Sequence, residues 1–243
     1  VTIAPLYIQN ASTTVTDAQV QAMTRAAAYQ ARWQFAPVWN QLPTPVLFLD
    51  KSTKPAAGAQ VIAVLDDPDQ AGALGYHSEG SDGVAYGRVF AKPSLDNGSG
   101  VFTGEYAVSA TLSHEVLEFI ADPNVSYWAS ADQDQTGFPL YAFEVADAVE
   151  GDSYAVRDVK TDILVSNFVL PVYFDPQNTK GPWDYLRRLT GPFTIGKGGY
   201  AVTWTAEKGQ QQIYGREMPT WRQELKQHDM SRGGRRVGIR PKT

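Results

Sequence analysis

Between Ala107 and Ala121 the chain is apolar almost without interruption, yet it carries Ser113-His114-Glu115-Val116-Leu117-Glu118 at its centre. Ala107, Val108, Ala110, Leu112, Val116, Leu117, Phe119 and Ile120 suit a largely buried helix, hydrophobic most of the way round. A buried helix cannot hold an imidazole and two carboxylates unless something satisfies them, because unpaired buried charge is expensive. Residues four apart share a helical face, so His114 and Glu118 point the same way, with Glu115 about 100° round. The plainer reading is the polar face of a half-exposed helix, with His114 hydrogen-bonded to a carboxylate.

The rest of the chain reads as an α+β protein, helices packed on one mixed sheet. A strand is expected over 1–9, then a helix from the N-cap Thr16 towards Phe35, ended with the help of Pro37. Strands follow at 46–49, 61–65, 74–77 and 84–90, with loops at 51–58 and 93–100. The polar helix is placed from Gly104 or Glu105 to about Ala121, where Asp122-Pro123 stops it. Residues 124–137 are polar and turn-like, and 141–149 are mixed. Residues 163–174 are rich in β-formers, and Pro171 sets the end of that stretch at an edge. Tyr200–Trp204 and Gln212–Tyr214 read as a late hairpin, and Trp221–Gln227 as a short helix. The expected division is a domain over 1–178, a β-rich extension over 179–230 and a basic tail over 231–243.

Composition excludes several classes. The chain has 243 residues and no cysteine, which removes disulfides, Cys-ligated zinc and thiol catalysis. No apolar run approaches the ~20 residues of a membrane helix, and Val1–Pro5 shows neither the basic nor the apolar region of a signal peptide. From Arg216 onward eight basic residues face three acidic ones, a net +5 against −10 for residues 1–215. The tail around Ser231–Arg236 is read as a solvated terminus or as an arm that docks on an acidic protein subunit. No nucleic-acid module stands beside it.

Ser113-His114-Glu115-Val116-Leu117-Glu118, followed by Asp122-Pro123, Trp128 and Glu144-Val145-Ala146-Asp147, resembles zincin-like metallopeptidases. The pattern is similar to the His-Glu-x-x-His zinc helix with its second histidine replaced by glutamate. It is found in poorly characterised bacterial and phage proteins and, more distantly, in plant exordium-like proteins. It covers roughly residues 72–175, under half the chain. The resemblance implies a metal-binding helix near 105–121 under a mixed sheet, with a substrate cleft along an edge strand. It implies that His114 and Glu118 hold a metal, and that Glu115 is the general base for a metal-activated water attacking a peptide carbonyl. Zinc is the expected ion; carboxylate-rich ligation also admits manganese, magnesium or calcium.

A catalytic zinc needs about three protein ligands. With only three histidines in the chain (His77, His114 and His228), the third ligand is sought first in Glu144, then in Asp147, which share a face if that segment is helical. The plainer reading of this pair is a surface turn or structural ion pairs. His77 is a further candidate ligand, expected rather to line the cleft as a substrate-side group. Tyr154 is a candidate for steadying an oxyanion. Two functions remain open: a metal-dependent peptidase acting on peptide or protein substrates, and an inactive structural or assembly protein on the same frame, such as a phage virion component.

Overall fold

The computed structural model describes residues 3–70, 73–132 and 139–226. The basic tail over 231–243 and His228 lie outside these residues, as do Val1 and Thr2. In chain order the first elements are β1 (Leu6–Asn10), α1 (Asp17–Gln30), α2 (Ala36–Val38), β2 (Val46–Leu49), β3 (Gln60–Leu65), β4 (Gly75–Glu79), β5 (Ala85–Phe90), α3 (Ala91–Asp96) and α4 (Val108–Ala121). Then come β6 (Trp128–Ser130), β7 (Leu140–Ala142), β8 (Ser153–Asp158), β9 (Thr161–Ser166), β10 (Tyr200–Thr205), β11 (Gly209–Tyr214) and α5 (Thr220–Lys226).

The architecture is mixed α+β with several sheets. The largest has the order β2-β1-β3-β5-β4. Its first four strands are parallel, and β4 returns antiparallel to β5 as the outer strand. In β1 the alternation works as expected, Leu6 and Ile8 entering the core while Tyr7 and Gln9 lie half-buried. Helix α4 packs beneath β4 and β5 and meets α1 and β9 on its other sides. Val108, Leu112, Val116 and Leu117 are fully buried in the shared core. β6 and β7 join β10 and β11 in a second sheet, so strands from residues 200–214 extend a sheet begun at 128–142.

Helix α1 begins as its cap predicts. The Thr16 hydroxyl accepts from Gln19 N–H at 3.2 Å, and the Gln19 side chain accepts from Thr16 N–H at 2.9 Å. Such a reciprocal cap contributes about 1 kcal/mol. Pro37 does not end the helix. The chain passes through a π-turn over Ala31–Phe35 and restarts as α2, where Pro37 occupies the first turn and needs no intrahelical N–H bond.

Three other expectations change for similar reasons. α3 runs into the expected 93–100 loop, because Pro93 falls in a first turn whose N–H groups have no helical partner. Helix α4 starts at Val108, later than expected. Its first N–H groups bond to the carbonyls of Gly100 and Val101, so the preceding residues serve as its cap. The β-forming run stops at Ser166. There the Asn167 side chain bonds to Asp184, Phe168 and Leu186, and Pro171 opens a 3-10 turn over Pro171–Phe174.

Candidate metal centre

Helix α4 holds its polar residues inside the fold. His114, Glu115 and Glu118 are 6%, 5% and 3% exposed, which removes the half-exposed helix as an explanation. Ser113 ties the helix in place: its hydroxyl donates to Ala110 O at 2.9 Å and accepts from Ser166 N at 2.7 Å. That use is structural.

Glu144 and Asp147 reach the helix from the segment after β7. They are not two residues of one helix. Glu144 follows the strand, and Asp147 opens a 3-10 turn over Asp147–Val149. Both are buried, which sets aside the surface-turn reading. Glu118 fixes this segment from below, its Oε1 accepting the N–H groups of Ala146 at 3.1 Å and Asp147 at 3.2 Å. Its other oxygen, Oε2, lies 3.2 Å from His114 Nε2, and Asp147 Oδ1 lies 3.2 Å from the same nitrogen.

His77 comes from β4 and is 1% exposed. Its Nε2 is 3.1 Å from Asp122 O at the end of α4. A carbonyl can only accept, so Nε2 carries a proton and Nδ1 turns inward, 3.4 Å from Glu115 Oε2 and 3.9 Å from Glu118 Oε2. A backbone carbonyl holding one ring nitrogen is the usual support of a metal-binding imidazole. Gly75, two residues earlier on β4, lets Glu115 lie against the strand: a Cβ there would stand 2.8 Å from Glu115 Oε1.

The donors fall into two groups whose ligand atoms lie within 4.8 Å of one another: His114, Glu118 and Asp147, and His77, Glu118 and Glu144. Donors bonded to one ion at about 2.1 Å and tetrahedral angles sit about 3.4 Å apart. In the His114 group, the two distances from Nε2, both 3.2 Å, lie near that spacing, so these side chains could hold a metal ion. Burial opposes the charged His114 imidazolium, yet the Glu118 charge, hydrogen bonds to Asp147 and Glu118, and the Glu115 charge outweigh it and hold His114 well above its ordinary value. Burial and then the Asp147 charge push Glu118 up. A cation bound at His114 Nε2 would displace the proton held there.

His114 and Glu115 also line a cleft of about 20 Å³, room for about one water molecule. Leu74, Gly75, Tyr106, Tyr200 and Arg222 also line it. Arg222, from α5, is ion-paired with Glu150, and the neighbouring Trp221 packs edge-on against Tyr106 at 5.3 Å. Tyr200, Trp221 and Arg222 lie about 85–110 positions from His114 in sequence, and no local pattern announces their approach. Tyr154 is not among these groups. Its hydroxyl donates to Gln34 at 2.7 Å and accepts from Gln30 at 3.0 Å, on the α1 side of the fold. His77, expected beside the cleft, belongs to the second donor group instead. In comparisons with known proteins, no protein-family model matches this chain and no curated protein matches it.

Proposed function

We propose that this chain is a metal-dependent hydrolase of peptide bonds, built on a zincin-like frame. The observation that carries the reading is the convergence of His114, Glu118 and Asp147 on one buried point, with Glu115 on the next helical position and lining the same cleft as His114. His114, Glu118 and Asp147 would hold the ion. When bound, a divalent cation supplies Lewis acidity, making water acidic and a carbonyl electrophilic. Glu115 is placed to accept the proton of a water in the cleft and to return it to the leaving amine. Gly75 and the β4 backbone position that carboxylate. Beyond β4 the sheet has no further strand among the described residues, so an extended peptide can add there through main-chain hydrogen bonds.

The test is hydrolysis of an unstructured protein such as casein by zinc-loaded protein and by Glu115→Gln. We expect cleavage by the parent and a loss of about 10²–10⁴-fold in the variant, with the ion retained in both. Retained cleavage in Glu115→Gln sinks the general-base role. One observation favours a second reading, an inactive assembly protein on the same frame: the cleft is narrow and lined in part by the chain's own Arg222. Tight metal binding with no cleavage of any peptide by the parent supports that reading.

A further inference from the structure

The two donor groups share Glu118 and nothing else. The two sets do not merge into one group within the 4.8 Å that holds each together. A single small cation therefore cannot take all five side chains as they stand. It takes one group and leaves the other, with a buried imidazole and a buried carboxylate, as a second donor set.

We infer that the centre binds two divalent cations bridged by Glu118. One is held by His114, Glu118 and Asp147, the other by His77, Glu118 and Glu144. The orientation of Glu118 suits a bridge. Its Oε1 is occupied by the amides of Ala146 and Asp147, while Oε2 faces both histidines, 3.2 Å from His114 Nε2 and 3.9 Å from His77 Nδ1. The two imidazoles approach from different elements, α4 and β4, so they flank this oxygen instead of crowding one ion. His77 is prepared for its role by the Asp122 carbonyl, which fixes its Nε2 proton and directs Nδ1 at the carboxylates. Paired ions about 3.5–4 Å apart recur in hydrolytic centres, and imidazole-plus-carboxylate donors suit zinc or manganese. The inference rests on the metal-dependent reading above and adds a second ion with its own ligands.

The experiment is titration of chelator-stripped full-length protein with Mn²⁺. Bound metal is counted after equilibrium dialysis, and the loaded protein is examined by electron paramagnetic resonance. Two equivalents per chain with an exchange-coupled signal are expected. His77→Gln should then hold one equivalent with an uncoupled signal, and Glu118→Ala should lose both. The parent's stoichiometry and coupling decide the matter even if a variant fails to fold. One equivalent in the parent, or two without coupling, overturns the bridged pair and leaves the single-ion hydrolase standing. No bound metal overturns both.

Discussion

Glu118 does two jobs that substitution can separate. As a donor it faces His114; as an acceptor it holds the buried N–H groups of Ala146 and Asp147. In the metal-free protein, Glu118→Ala leaves both amides without their acceptor, in residues 0% and 3% exposed. Each orphaned buried donor costs about 1–3 kcal/mol, giving about 2–6 kcal/mol before compensation. Removing the carboxylate also ends its burial and its repulsion by Asp147 but forfeits its attraction to His114, so the expected net loss is about 2–4 kcal/mol. Glu118→Gln keeps a carbonyl acceptor of the same reach and should lie within about 1 kcal/mol of the parent. Urea unfolding of the three metal-free proteins measures this, provided the slopes agree so that midpoints report stability. Both variants should lose metal. If alanine and glutamine prove equally stable, Glu118 does not hold the 144–147 segment, and the account of how Asp147 reaches His114 fails.

Other consequences concern the base, the strand beside it and the first loop. Glu115→Gln should lower hydrolysis by about 10²–10⁴-fold with metal content unchanged; coordinate loss of metal would show that Glu115 is a ligand. Gly75→Ala places a methyl group 2.8 Å from Glu115 Oε1, so the carboxylate must shift. A 1 Å displacement can cost about 10²-fold in rate, so activity should fall while metal stays bound, and full activity would show that the strand does not position the base. At Asp66, burial raises the carboxyl, but hydrogen bonds from Ser12, Thr13 and Thr14 outweigh it and hold the group well below the usual carboxylate range. Its contribution is therefore present above the ordinary carboxylate pKa and disappears as pH falls through the lower folded value. Asp66→Asn should be less stable than the parent near neutrality, with the gap closing in strong acid; a gap constant with pH would contradict the linkage.

Much of the scaffold was legible because it follows from local rules. The Thr16 cap, the uninterrupted run at 46–49 and the stop at Asp122-Pro123 depend on neighbours in sequence, and the structure places them as read. The departures occur where tertiary contacts replace local signals. Pro37 and Pro93 sit in first turns that tolerate them, and the late start of α4 depends on carbonyls from the loop before it. At the centre, the sequence pointed to His114, Glu115, Glu118, Glu144 and Asp147. It could not divide them, because a spacing of three residues means a shared face only in a helix, and Asp147 instead begins a new turn after Glu144 leaves β7.

The sequence by itself determined that one apolar helix carries an imidazole and two carboxylates on neighbouring turns, through helical periodicity. Their full burial, against the alternative of a half-exposed helix, was decided by the fold. Only the tertiary structure decided what surrounds them. The antiparallel return of β4 brings His77 to the base, the Glu118 amide bonds draw Asp147 to His114, and α5 brings Arg222 to the cleft lining. These are meetings of residues about 30–110 positions apart, fixed by sheet order and core packing, for which one-dimensional spacing carries no signal.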